Sequence, residues 1–253
     1  MLATLLRALW TPRTRAPRVP AGSRVYAVGD MHGRADLVEA IHGLILRDIL
    51  DFDGDRKVVV YLGDYVDRGM ESRELVDLLL DAPLPGFEAV HLEGNHEQAL
   101  LDFLDDPGVA LEWMSYGGYE TLASYGVGFE GPPMGAQALM RLQERFRTNL
   151  PARHLDFFRG LRLTHEEGDY LFVHAGLRPG VPIGDQEAHD LLWIRDPFLD
   201  STEDFGRVVV HGHSISTRPE MRPNRIGIDT GAFASGCLTC LVLEGTGRRF
   251  LAT

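Results

Sequence analysis

Apolar positions along the chain fall into two recurring patterns. Short apolar runs end beside a glycine paired with Asp or Asn: Arg24–Val28 before Gly29-Asp30, Val58–Leu62 before Gly63-Asp64, and Glu88–Leu92 before Gly94-Asn95. Between them, Leu37, Ile41, Leu44, Ile45 and Ile49 recur at helical spacing, as do Leu75, Val76 and Leu79. Strand-helix-strand alternation predicts an α/β sheet with crossover helices. In such sheets functional groups gather just beyond the carboxyl ends of the strands. Residues from about 100 to 162 read as a helical insertion, with breaks at Tyr116-Gly117-Gly118 and Gly131-Pro132-Pro133. Strand-type runs return at Tyr170–Val173, Val208–Val210, Arg225–Ile228 and Leu238–Leu243, which predicts a second sheet packed on the first. The expected layout is one catalytic domain, residues 23–253, behind an N-terminal arm, residues 1–22.

Composition narrows the partners. With 44% hydrophobic and 25% charged residues in 253, the chain is an ordinary globular one with enough length for a core. A net charge of −12 argues against nucleic acid. That figure hides an asymmetry, because the stretch up to Arg24 holds five arginines and no acid, leaving −17 for the rest. In the arm the apolar residues precede the charges, the reverse of a secretory signal. A flexible arm is expected, with a weak peripheral membrane contact as the sharper alternative. No run approaches the roughly 18 apolar residues of a spanning helix. Two cysteines, Cys237 and Cys240, cannot build a disulfide framework, so a reducing, cytoplasmic setting is expected. Without a second pair for zinc they read as small buried residues at the start of a strand. Asp51–Asp55 resembles the start of a calcium loop, but the loop's last position would be Leu62, so a turn is expected. Trp113, Tyr116 and Tyr119 read as core packing of the insertion, with lining of the substrate groove as the lesser alternative.

The chemistry-bearing residues stand at the strand ends. Asp30 and His32 follow the first run, Asp64 the second, and Asn95 and His96 the third. His174 follows Leu171–Val173, and His211 and His213 follow Val208–Val210. Carboxylate, imidazole and amide oxygen together form a mixed N/O donor set suited to manganese, iron or zinc rather than calcium. The donors exceed the need of one tetrahedral ion and match two ions sharing a carboxylate. A lone Asp after a strand is an ordinary cap or turn residue. Five such coincidences, each beside a glycine that permits close backbone approach, are not. His211, two residues before His213, would face the same way on a continuing strand; it is expected to support the ligands rather than join them.

The blocks Gly29-Asp30-Met31-His32-Gly33, Gly63-Asp64-Tyr65-Val66-Asp67-Arg68-Gly69 and Gly94-Asn95-His96-Glu97, with His174-Ala175-Gly176 and Gly212-His213, resemble the ordered signature of the phosphoprotein phosphatase (PPP) family of metallophosphoesterases. The resemblance implies a calcineurin-like fold: two mixed β-sheets packed as a sandwich and flanked by helices. It implies two divalent ions, manganese first, with Asp30, His32 and Asp64 holding one. Asp64, Asn95, His174 and His213 would hold the other. It also implies His96 as proton donor paired with Asp67, and Arg68, Arg195 and Asn95 as contacts to substrate phosphate. Arg195 is chosen because Trp193-Ile194-Arg195-Asp196 is similar to the segment supplying that arginine in bacterial members.

The implied activity is hydrolysis of phosphoserine, phosphothreonine and also phosphotyrosine in proteins, by in-line attack of a metal-bridging hydroxide. The alternative is hydrolysis of diadenosine tetraphosphate or another small phosphoester by the same site. Glu97 favours the protein substrate, since tetraphosphate hydrolases usually carry aspartate there. A scaffold that keeps the fold without catalysis is a third reading, opposed by the intact donor set.

Overall fold

The computed structural model describes residues 15–128 and 135–253. The break expected at Gly131-Pro132-Pro133 and most of the arm lie outside the described residues.

Two five-stranded sheets form the centre. The first has the order β10-β9-β1-β2-β3, with β1 (Ser23–Val28), β2 (Arg56–Tyr61), β3 (Glu88–His91), β9 (Thr239–Glu244) and β10 (Gly247–Ala252). The second has the order β4-β5-β6-β8-β7, with β4 (Thr164–Glu167), β5 (Tyr170–Val173), β6 (Val208–His211), β7 (Glu220–Met221) and β8 (Arg225–Gly227). β1, β2 and β3 are parallel, and so are β5, β6 and β8. Val28, Tyr61 and His91 are register partners in turn, so the first three strands finish flush.

Alternation along the strands sorts the core into layers. Val25, Ala27, Val58, Val60 and Leu241 of the first sheet face Phe172, Val210 and Ile226 of the second. Tyr26, Val28, Val59 and Tyr61 point the other way, against α1 (Ala35–Asp48), α2 (Ser72–Asp81) and α3 (Asn95–Asp105). Leu171, Val173 and Val209 pack outward on α8 (Ala188–Trp193) and α9 (Asp196–Leu199). Arg56 of β2 ties the sheets together, with both guanidinium nitrogens on the buried Glu167 of β4, at 2.6 and 2.7 Å. Burial works to raise the Glu167 carboxyl, but hydrogen bonds from His165 and Arg56 overcome it and hold the group at about 2.

The insertion is helical as expected. It runs through α4 (Ala110–Trp113), a π-turn (Met114–Gly118), α5 (Tyr119–Ser124), α6 (Ala136–Asn149) and α7 (Ala152–Arg159). One assignment changes. The run Leu238–Leu243, expected in the second sheet, becomes β9 of the first, antiparallel to β1 with Val28 opposite Cys240. Its apolar pattern suits either sheet, and the hairpin to β10 decides its place at the β1 edge. Cys240 is fully buried there, but Cys237 is only half-buried before the strand begins. The inner end of the expected arm is docked rather than free: Val19 is buried and its N–H reaches Gly245 O at 3.1 Å.

Candidate active site

Strand ends from both sheets converge on one place. Asp30 and His32 follow β1, Asp64 follows β2, Asn95 and His96 open α3, His174 follows β5 and His213 follows β6. All are buried. The turns that carry them are left-handed at non-glycine residues: φ is 44° at His32, 53° at Asp64, 71° at Asp67, 66° at Arg68 and 61° at His213. These are the non-glycine residues of positive φ among the described ones, and each costs about 1–3 kcal/mol that its surroundings must repay.

Glu97 supplies much of that repayment for the second turn. Its carboxylate accepts the backbone N–H of Asp64 and Tyr65 at 2.8 Å, Gly94 at 2.9 Å and Val66 at 3.2 Å. Burial and the charge of Asp64 push the Glu97 carboxyl up to about 8, against these donors. It is fully buried under the loop, so any effect on substrate choice passes through the position of Asp64.

Asp64 stands between two histidine groups. Its Oδ2 is 3.3 Å from His32 Nε2, and its Oδ1 is 3.4 Å from His174 Nε2. Two sets of ligand atoms close enough to share an ion result: His32, Asp64 and His96, and Asp64, His174 and His213. Asp30, expected in the first set, is outside both; its Oδ2 accepts the His213 N–H at 2.9 Å. Asn95 Oδ1 lies 2.9 Å from both His174 Nε2 and His213 Nδ1.

The arrangement fits cations. His32 gives its Nδ1–H to Val66 O and His174 gives its Nδ1–H to Leu62 O, both at 2.9 Å, which turns each Nε2 lone pair inward. His174 Nε2 then faces Asn95 Oδ1, two acceptors with no proton between them. Asp30 Oδ1, His32 Nε2 and His213 Nε2 are buried without a hydrogen-bond partner. Leaving such groups unpaired costs about 1–3 kcal/mol each, which a bound ion removes. Burial holds His32 at about 3 and His213 at about 2, so both rings are neutral, as ligation needs. Burial opposes the charge of Asp64, but His174, His96, His32 and His213 hold it well below the carboxylate range.

Beside this set, His96 Nδ1 donates to Asp67 Oδ2 at 2.7 Å. Its Nε2 faces Arg68 Nη2 at 3.2 Å. Arg68 lies over the Phe233 ring at 4.7 Å. Arg195 is exposed and donates from Nη1 to His213 O at 3.2 Å and Ser214 Oγ at 3.3 Å, which places it at the rim. Both arginines expected from the sequence therefore border the site. His211 does not join it. β6 ends at His211 and the left-handed turn at His213 parts the two rings, so His211 packs against Phe198 at 5.0 Å.

Three residues were not anticipated. Asp229, buried after β8, accepts the Gly231 N–H at 2.9 Å, and its charge acts on Asp30. Burial, the charge of Asp229 and that of Asp64 push Asp30 upward. Asp229 follows the run Arg225–Ile228, as Asp30 follows its own run, but without an adjoining glycine. Trp113 and Thr121 contact Asp67 from the insertion.

Glycine is demanded at two close approaches. A Cβ on Gly94 would overlap Asp64 Oδ1, and one on Gly212 would overlap Asp30 Oδ1. Gly212→Ala should fold yet bind Mn²⁺ about 10–100-fold more weakly, because Asp30 must swing aside. Titration of the metal-free protein by calorimetry checks this; wild-type affinity would show that Asp30 can move without consequence.

A small groove adjoins the site, lined by Asp102, Glu112, Trp113, Tyr116 and Trp193 among others. Tyr116 meets the His96 ring at 6.1 Å and Trp193 meets the His213 ring at 6.4 Å.

Residues 23–233 match the profile of the calcineurin-like phosphoesterases. The chain is 29% identical over 240 residues to serine/threonine-protein phosphatase 2 of Escherichia coli, covering 90% of this chain and 97% of that protein. It is 26% identical over 235 residues to the asymmetrical bis(5'-nucleosyl)-tetraphosphatase PrpE of Bacillus thuringiensis, covering 85% and 88%. A crystal structure described as a putative diadenosine tetraphosphatase superposes with a TM-score of 0.60 at 20% identity, covering 94% of this chain and 98% of that one.

Proposed function

The chain belongs to the calcineurin-like phosphoesterase family, and we propose that it hydrolyses phosphoserine and phosphothreonine, and also phosphotyrosine, in proteins. Asp30, His32 and Asp64 would hold one divalent ion and Asp64, Asn95, His174 and His213 a second, with manganese suited to these N/O donors. When bound, the ions supply Lewis-acid charge to the phosphoryl oxygens and acidify a water to near neutrality.

The chain's own residues do the rest. Arg68 and Arg195 each offer a planar fork to the phosphate oxygens from opposite sides of the donor set. Asn95 adds an amide to the same phosphate. His96 carries a proton to the departing ester oxygen from Nε2, while Asp67 keeps Nδ1–H engaged. The position of His96 inside a potential ligand set does not make it a ligand. Its Nε2 lone pair faces the Arg68 guanidinium at 3.2 Å, a donor that occupies the position an ion would need.

The observation that carries the protein substrate is the charge of the groove. Asp102 and Glu112 line it next to the site. Burial, with the charges of Asp105 and Glu112 nearby, raises the Asp102 carboxyl. A peptide tolerates such a wall, whereas a chain of four phosphates is repelled by it. The names of the relatives allow either substrate, and the Tyr116–Trp193 pair could stack a base. The test compares kcat/KM for a phosphothreonine peptide panel with that for diadenosine tetraphosphate at saturating Mn²⁺. The peptide is expected to win by at least tenfold, about 1.4 kcal/mol. A decisive preference for the nucleotide overturns the assignment.

A further inference from the structure

The helical insertion does more than flank the site. Trp113 and Thr121 are both fully buried, and both direct their polar atoms at Asp67. Trp113 Nε1–H donates to Asp67 Oδ2 at 3.0 Å, the same oxygen that receives His96 Nδ1–H. Thr121 Oγ1–H donates to Asp67 Oδ1 at 2.6 Å.

The protons in this cluster can be assigned. Thr121 has one hydroxyl proton and two lone pairs. Asp67 N–H points at Thr121 Oγ1 from 2.8 Å, and Ser72 Oγ lies 3.2 Å away. The backbone N–H can only donate, so it fills one lone pair. With Ser72 filling the other, the threonine proton must go to Asp67. Indole N–H also only donates. Both carboxylate oxygens of Asp67 are therefore engaged by donors from the insertion, and neither can rotate away from His96. Burial raises the Asp67 carboxyl, and the bonds from His96, Thr121 and Trp113 oppose that rise.

The backbone of the insertion is shaped for this reach. Gly117 adopts φ 108° in the π-turn, and its carbonyl accepts the Arg68 N–H at 3.2 Å. Gly118 leaves room for the Trp113 ring, which a Cβ would meet at 2.7 Å. Trp113 also stacks on Phe103 at 4.9 Å, so its ring cannot tilt to release the bond.

We propose that Trp113 and Thr121 are positioning residues for His96, acting through Asp67, so that the insertion sets the proton-donating step. This rests on His96 being the proton donor. The step itself moves one proton from His96 Nε2 to the ester oxygen as the P–O bond breaks, and the neutral alcohol leaves.

The test uses phosphate esters whose leaving groups need that proton to different degrees, from p-nitrophenyl phosphate to an alkyl phosphate, with the Mn²⁺-loaded full chain. Thr121→Val keeps shape and removes the donor; Trp113→Phe keeps a ring and removes the N–H. Each should lower the alkyl-to-aryl ratio of kcat/KM about tenfold or more, in the direction of His96→Asn, with metal content maintained. Thr121→Ser should restore the ratio. An equal fall on all esters in both variants, with no rescue by serine, means a packing role and overturns the proposal. If His96→Asn itself leaves the ratio unchanged, the proton-donor reading fails, and the proposal falls with it.

Discussion

Asp64→Asn is expected to strip bound metal from two ions per chain toward one or none, and to lower kcat/KM by about 10³-fold or more. Among the described residues no other carboxylate joins both histidine groups, since Oδ2 looks to His32 and Oδ1 to His174. The amide removes the negative charge between two cations and points an NH₂ donor at one of them. Its oxygen can still accept the His96 N–H, now 3.2 Å from Asp64 Oδ1, so the fold should survive. The buried Asp64 charge is surrounded by four imidazoles, of which ligation needs His32, His174 and His213 neutral, so metal and carboxylate depend on each other. Elemental analysis after dialysis against Mn²⁺ reads the outcome directly. Two ions retained at wild-type affinity would show that Asp64 does not bridge.

The site was more legible in the sequence than the sheets around it. Asp30, Asp64 and Asn95 each follow a continuous apolar run and adjoin a glycine, and both features are local. Where the chain turns at a strand end under such constraint, the next polar residue is fixed in space. Asp229 follows such a run too, but its flanking residues are Ile228 and Thr230, so the glycine half of the rule misses it. Sheet membership is not local. β9 carries the apolar run expected, but its pairing with β1 joins residues more than 200 apart, which no periodicity encodes. β4, Thr164–Glu167, and β10, Gly247–Ala252, carry no long apolar run, because edge strands hold polar and charged residues. Trp113 was rightly read as core, yet a buried indole must find an acceptor for its one N–H, and that acceptor is Asp67. His211 and His213 share a face only if the strand continues. The left-handed turn that aims His213 inward breaks that premise.

His96→Asn is expected to retain both ions and to lose about 10²–10⁴-fold in kcat/KM on alkyl phosphates, with a smaller loss on p-nitrophenyl phosphate. An alkoxide leaves poorly without a proton, whereas p-nitrophenolate leaves without one. Asparagine keeps the helix start and can still accept from Arg68, but it has no proton to lend at neutral pH. The pH dependence follows from the same contacts. Burial lowers the affinity of His96 for its proton, while Asp64 and then Asp67 raise it further, so the net movement is upward from 6.5. A raised histidine is charged at pH values below its shifted midpoint. The alkyl rate of the wild type should thus persist through neutrality and fall on the alkaline side as His96 loses its proton. His96→Asn should lack that alkaline fall while keeping any change due to the nucleophile. Rate profiles for both esters, taken with metal content at each pH, separate the two limbs. A metal loss in His96→Asn would place His96 among the ligands, as its closeness to His32 and Asp64 alone would suggest. The guanidinium of Arg68 at Nε2 is the reason to expect the opposite.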